Sequence, residues 1–327
     1  MMRIVHLLDD FALGGVTKSF RIFEHPMLAE DIRSDVVEVA PRRQLAPSLA
    51  ADVILTHFPP SWAALPFIRT LRLRNPRARL VHVEHSYCAA WERLKVPSLR
   101  RFHAMLRLAL PAFDHVVTVS DGQRRWLSGV CQPRAISTIR PWSGEERLYC
   151  VPPPMPAQRL TVGAYGRFAE QKGFDTLIRA MHRLDPERFS LHLGGFGPDE
   201  AMLRALAGNA PHIRFLGKLD DPGVLLANVD LVVVPSRWEP FGQVAAEAKL
   251  AGRATLLADV DGLPEQSVAG LVSDCTSPEL LAEAIERMAG MDLRDMGRRN
   301  RAAMVDAGHA TPAAWRALLD HLVASAC

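Results

Sequence analysis

Short runs of apolar and β-branched residues alternate along this chain with longer stretches whose apolar positions recur at helical spacing. The short runs predict strands near 3–8, 35–40, 52–56, 79–84, 114–119 and 135–140 in the first half. In the second half they predict strands near 159–165, 189–194, 213–216, 230–235 and 254–258. The clearest is 230–235, where Leu231 to Val234 is apolar without interruption, as a strand buried on both faces requires. Between strands, 173–184 has the helical period: Phe174, Leu177, Ile178, Met181 and Leu184 share one face and read as core. Regular strand–helix alternation is the signature of α/β architecture with parallel sheets.

At 327 residues the chain is long enough for two such domains. A linker is expected over 141–158, because Val151-Pro152-Pro153-Pro154-Met155-Pro156 can join neither a helix nor a central strand. The expected division is 1–150, 151–308 and a terminal segment 309–327. That segment reads as a helix over 312–325, capped by Thr311 with Pro312 in its first position and a docking face of Trp315, Leu318, Leu319 and Leu322.

Composition narrows the class. Apolar residues make up 48%, which supports a folded core. The five cysteines (Cys88, Cys131, Cys150, Cys275, Cys327) are odd in number and scattered, with no C-x-x-C pair, which argues against a disulfide framework or zinc–thiolate site. No apolar run approaches the ~20 residues of a membrane span, and the first strand meets Asp9 and Asp10 too early for a signal peptide. A cytoplasmic location is therefore expected. Net charge is +3, but ten basic residues lie between Arg69 and Arg107 against Glu84 and Glu92, a local +8 that leaves −5 for the remainder. This stretch is either a solvated face or a dock for anionic lipid or a phosphate-bearing acceptor. It lacks interleaved aromatics and any recognition motif, so nucleic acid is not expected.

Three segments carry candidate chemistry. Gly14-Gly15-Val16 follows the first strand and is either a tight turn or a close approach of backbone to an anion. Gly166-Arg167, at the end of a strand, is followed by Lys172-Gly173 at the start of a helix, so that two cations flank a helix N-terminus. This is neither a P-loop nor the dinucleotide fingerprint. Most informative is Ser236-Arg237-Trp238-Glu239-Pro240-Phe241-Gly242-Gln243-Val244-Ala245-Ala246-Glu247, directly after strand 230–235. A helix starting near Gly242 would aim the amides of Phe241 to Val244 at the strand's carboxyl end, where ligands bind in open α/β sheets. Glu239 and Glu247 flank that amide row, and carboxylates suit sugar hydroxyls.

The last segment resembles the Glu-x7-Glu motif of retaining glycosyltransferases, and the chain resembles glycosyltransferase family 4. Other segments match in order: Gly14-Gly15-Val16, Gly166-Arg167 with Lys172-Gly173, Gly194-Gly195-Phe196-Gly197-Pro198, Arg214 to Leu219, and Gly262-Leu263-Pro264-Glu265. The resemblance spans 160–265 most closely and implies the GT-B architecture, two Rossmann-like doubly wound domains facing a cleft. It implies that Arg167 and Lys172 hold a donor diphosphate and that Glu247 binds the ribose. Glu239 would contact the transferred sugar, backbone at Gly14, Gly15, Gly166, Phe241, Gly242, Gln243 and Val244 would meet phosphate and sugar, and backbone near Leu219 the base. Val81-His82-Val83-Glu84-His85-Ser86 resembles the family's strand-end histidine segment, which would turn His85 toward the sugar; the alternative is a core histidine. A metal site using His82 and His85 is disfavoured because strand alternation points them to opposite faces.

The implied activity is metal-independent, retaining transfer from a UDP- or GDP-linked sugar, with no cofactor, to a glycan, glycolipid or lipid-linked acceptor. The expected setting is cell-surface polysaccharide or glycoconjugate synthesis at the inner face of the plasma membrane. The alternatives are a GT-B-like epimerase or phosphorylase, or a degenerate nucleotide-sugar-binding subunit.

Overall fold

The computed structural model describes residues 1–10, 20–142, 144–154 and 158–324. The chain divides into two compact units, Met1–Gly144 together with Ala307–Cys327, and Glu145–Asp306. Each is built on one six-stranded sheet whose paired strands are all parallel.

In the first unit the strands are β1 (Met2–Leu8), β2 (Ile32–Glu38), β3 (Val53–Thr56), β4 (Arg79–Glu84), β5 (His115–Thr118) and β6 (Ile136–Thr138), in the order β2-β1-β3-β4-β5-β6. Between them lie α1 (Pro26–Ala29), α2 (Leu65–Arg74), α3 (Ala89–Lys95), α4 (Leu99–Ala109) and α5 (Asp121–Val130). The strand order reverses between β1 and β3. The central strands β3 and β5 are buried throughout, their apolar centres bounded by the polar residues Thr56, His115 and Thr118. β2 begins three residues before its expected position: it is an edge strand with Arg33 and Ser34 exposed, so its pairing to β1, Met2 opposite Ile32, decides its ends rather than its hydrophobicity.

In the second unit β7 (Leu160–Arg167), β8 (Phe189–Phe196), β9 (Ile213–Gly217), β10 (Leu231–Val234), β11 (Ala254–Ala258) and β12 (Leu271–Ser273) are ordered β12-β11-β10-β7-β8-β9. This is the order of dinucleotide-binding folds, reversing between β7 and β10. The helices are α6 (Phe174–Met181), α7 (Glu200–Ala207), α8 (Pro222–Leu226), α9 (Gln243–Leu250), α10 (Pro278–Ala289) and α11 (Leu293–Ala302). β12 was not expected: three half-buried residues carry no period, and the strand exists through its pairing with β11, Leu256 opposite Leu271.

The terminal helix α12 (Ala307–Ala324) begins before Thr311, and Pro312 lies inside it rather than at its start. Thr311 is not its cap; its hydroxyl donates to the carbonyl of Arg140 at 3.0 Å. Pro312 withholds one amide and leaves the carbonyl one turn earlier without its helical donor. The predicted face is buried against the first unit, with the Trp315 ring 5.4 Å from Phe23 and Arg316 bidentate on Asp31 at 2.7 and 2.9 Å.

The proline-rich part of the expected linker is fastened to the second unit. Prolines lack donors but keep their carbonyls, and arginines supply the hydrogens: Arg301 to Val151 O at 2.6 Å, Arg253 to Pro152 O at 2.6 Å and Arg294 to Pro154 O at 2.8 Å.

Apart from the exposed Arg77, the basic stretch separates into two groups. Arg69, Arg72, Arg74, Arg79 and Arg107 donate to backbone carbonyls of Leu108, Ala112, Ala46, Leu322 and Val130, and Arg72 also pairs with Asp114 at 2.6 Å. Arg93, Lys95, Arg100 and Arg101, on α3 and α4, are exposed beside Leu94 and Leu99. Among the described residues no helix is long and apolar enough to cross a membrane.

Candidate functional site

The switch point of the second sheet, between β7 and β10, gathers most of the residues singled out from the sequence. After β7 a single 3-10 turn, Glu170–Lys172, leads into Gly173, which has φ +64° and caps α6. A Cβ on Gly173 would lie 2.2 Å from the carbonyl oxygen of Pro235, so glycine is what lets this loop touch the end of β10. The contact delivers Lys172 to the loop after β10.

There the Lys172 ammonium donates to Glu239 Oε2, and Ser236 Oγ donates to the same oxygen at 3.1 Å. The Glu239 side chain is 10% exposed and that of Lys172 19%, an ion pair mostly withdrawn from water yet open at its rim. The Glu239 backbone is fixed at both ends: its amide donates to Asp261 Oδ2 at 3.1 Å, and its carbonyl accepts from the Gly262 amide at 3.1 Å. Asp261 has φ +48°, a conformation aspartate tolerates.

Helix α9 starts at Gly242, with φ +92°. A Cβ there would sit 2.4 Å from Leu263 Cδ2 and 3.4 Å from Glu239 Cγ. Asp221, Ser277 and Asp292 cap α8, α10 and α11 through side-chain oxygens, whereas α6 and α9 begin at left-handed glycines with no side-chain cap. Helix starts of that kind leave first-turn amides for an anion. Phe241 is buried, and Gln243 and Val244 form the half-buried first turn.

Glu247, one turn further on, is 4% exposed and accepts from the Tyr165 hydroxyl at 2.7 Å. Burial, then the Glu247 charge, holds the Tyr165 hydroxyl well above its ordinary range, so it remains a donor. Arg167 is exposed at the end of β7, and a Cβ on Gly166 would lie 3.7 Å from Lys172 Cε. Leu219 follows β9 and packs its Cδ1 against Gly194, where a Cβ would meet it at 2.4 Å. Chemically, two cations and the uncapped start of α9 favour an anion, whereas the first-turn amides of α6 are taken by the Asp175 carboxylate; two carboxylates with neighbouring hydroxyls favour a polyhydroxylated group.

Ser236 lies in the candidate segment without an assigned role, and Tyr165 and Asp261 were not among the sequence candidates. Tyr165 carried a readable signal, since a tyrosine in a buried strand needs a partner for its hydroxyl. Gly14 and Gly15 lie outside the described residues.

His85 belongs to the first unit, directly after β4. Its Nε2 is 3.0 Å from His57 Nδ1, and burial pushes its imidazole down to about 4, with Glu84 opposing and His82 adding to the shift. His82 sits apart, with Nδ1 3.0 Å from Thr56 Oγ1, Nε2 3.3 Å from Glu84 Oε2, and its ring against Phe113.

Residues 159–290 match the family described as glycosyl transferases group 1 and form a domain of that type. The lipopolysaccharide core biosynthesis glycosyltransferase LpsE of Rhizobium meliloti (strain 1021) is 33% identical over 207 residues, covering 61% of this chain and 58% of that protein. The chain thus spans under two thirds of the length of this curated relative. Sucrose-phosphate synthase from Thermosynechococcus elongatus superimposes with a TM-score of 0.80 at 20% identity, over 99% of this chain and 100% of that one. Anabaena Alr3699/HepE in complex with UDP-glucose gives 0.73 at 20% identity, with coverage of 99% and 100%. The fold is that of GT-B glycosyltransferase structures.

Proposed function

We propose that this chain is a glycosyltransferase that takes a sugar from a nucleoside-diphosphate donor, and that the second unit holds the donor. The observation carrying the reading is the Lys172–Glu239 pair at the β7/β10 switch point, beside the exposed Arg167 and the uncapped start of α9. In the free protein the ammonium and carboxylate neutralise each other. An arriving diphosphate competes for Lys172, and Glu239 turns to the sugar hydroxyls. Arg167, Lys172 and the first-turn amides of α9 then stabilise the charge that collects on the leaving diphosphate, the task of a divalent cation in other sites. Glu247, oriented by Tyr165, accepts the ribose hydroxyls. The UDP-glucose in the Anabaena structure and the lipopolysaccharide role of LpsE support a nucleotide-sugar donor and a glycoconjugate acceptor. Retention of configuration and independence from metal follow from the family 4 resemblance, as does a sugar contact for His85.

The test is a thermal-shift series with UDP, GDP, ADP and CMP, with and without EDTA, followed by transfer assays using the nucleotide that binds. A ligand that binds only the folded state raises the midpoint by mass action. One nucleoside diphosphate should stabilise the protein in EDTA and its sugar should be transferred. Stabilisation by none would overturn the donor site, and consumption without transfer would favour the epimerase or phosphorylase reading.

A further inference from the structure

Three histidines stand in a row at the switch point of the first sheet. His6 lies on β1, His57 directly follows β3 and His85 directly follows β4, and these three strands are neighbours. His6 Nδ1 is 3.0 Å from His57 Nε2, and His57 Nδ1 is 3.0 Å from His85 Nε2. The ring planes are within 19° and 24° of each other. His6 is 0% and His57 4% exposed, and among the described residues the hydrogen-bond partners of the two rings are histidines alone. Glu84, at the end of β4, is engaged by His82 and by the amides of Ser86 and Tyr87. At the far end His6 Nε2 is buried and has no hydrogen-bond partner among the described residues. It lies among the rings of Phe20 and Phe23, with centroids at 5.0 and 4.6 Å.

A neutral imidazole has one N–H and one lone pair. His57 uses both nitrogens, so one must donate and the other accept. If it donates to His6, it must receive from His85; if it receives from His6, it must donate to His85. Proton count therefore forces one tautomer on all three rings. Of the two directions, one places an N–H at His6 Nε2 beside the aromatic rings, where it gains a weak N–H···π contact. The other leaves a bare lone pair against two π-clouds, with nothing to donate to it.

We infer that His6 and His57 are positioning residues that hold His85 as its Nε2–H tautomer, so that His85 Nδ1 is presented as a hydrogen-bond acceptor for a ligand hydroxyl. His85 Nδ1 has no partner among the described residues, and the residue is only partly buried, unlike His6 and His57. A fixed acceptor recognises a neutral hydroxyl and rejects an anion such as phosphate. The inference goes beyond the donor-site reading and does not rest on it, since its test uses no substrate.

The test is long-range 1H–15N correlation of the histidine side chains in the 15N-labelled full chain near pH 7.5, with assignment by single substitution. All three rings should show a protonated Nε2 and a pyridine-type Nδ1. In His6→Phe, which removes the terminal acceptor but keeps an aromatic ring, His85 should become a mixture of tautomers. In His6→Asn, whose side-chain oxygen can replace Nδ1, the single tautomer should return. A protonated Nδ1 on His85 in the unsubstituted protein would overturn the inference, as would an unchanged His85 pattern in His6→Phe. Should that variant fail to fold, the unsubstituted spectrum decides alone.

Discussion

Tyr165 donates its hydroxyl to Glu247 Oε2 across 2.7 Å, joining the end of β7 to the second turn of α9. Neither residue can be water-compensated, because both are buried. Replacing Tyr165 with Phe leaves the carboxylate one donor short, which costs about 1–3 kcal/mol. Urea denaturation should show that loss, and nucleotide affinity should fall with it. Full stability and affinity in Tyr165→Phe would mean that Glu247 is held by other groups.

The Lys172–Glu239 pair is the proposed centre of donor handling. Lys172→Ala and Glu239→Gln should each lower turnover by roughly 10²–10³-fold, the scale of losing one charge-stabilising donor in an active site. The thermal midpoint should move little in Glu239→Gln, since Ser236 and the backbone still hold the loop, and should fall in Lys172→Ala, which leaves a mostly buried carboxylate without its cation. Wild-type rates in both variants would refute the assignment.

Gly242 is a steric requirement as well as a conformational one. In Gly242→Ala the new methyl would sit 2.4 Å from Leu263 Cδ2 at φ +92°. Overpacking of this kind costs about 1–3 kcal/mol. Adding Leu263→Ala should recover the steric part but not the backbone part, so the double variant should be more stable than the sum of the singles. Strict additivity in a denaturation cycle would show that the clash is not the cause.

The two arginine groups of the basic stretch should behave oppositely. Arg72→Ala removes donors to Ala112 O and Asp114 and should destabilise the first unit by about 1–3 kcal/mol. Reversing Arg93, Arg100 and Arg101 to Glu should leave stability near the original and abolish binding to anionic vesicles. Equal vesicle binding by the charge-reversed protein would remove the membrane from the list of partners.

Burial pushes His6 down to about 3 and His57 well below its ordinary range, while His85 lies at about 4. All three therefore bind protons more readily in the unfolded chain. The stability tied to their neutral forms is fully present above their ordinary value near 6.5, and is lost as pH falls from there through about 4 and about 3. A melting series from pH 7.5 to 4 should show this decline, and His6→Phe should make it shallower. An identical slope in the variant would place the proton uptake elsewhere.

Local pattern revealed what local pattern determines. Leu231 to Val234 reads as a central strand because burial on both faces leaves no polar position, and the structure has β10 there. Glu239, Lys172 and Gly242 were legible because loop chemistry at a strand end is written in consecutive residues. β12, the Tyr165–Glu247 bond and the histidine row depend on partners 15 to 82 positions away in the chain, which no periodicity reports. The row still left a trace, a histidine near or just after the end of three of the first four strands. Pro312 misled because proline at a helix start and proline inside a helix look alike until the preceding turn is seen.

The first unit is discontinuous, and this has a consequence for biosynthesis. Asp31 and Arg316 are joined by two hydrogen bonds although 285 positions separate them. A ribosome completes Glu145–Asp306 before it releases α12, so the second unit has all its residues while the first still lacks the helix that covers Phe23. The nascent first unit must wait with that apolar face uncovered, and a chain stopped after Asp306 would keep it so. Such a truncated product should be recovered with chaperones or in aggregates, rather than as a folded protein lacking only its tail.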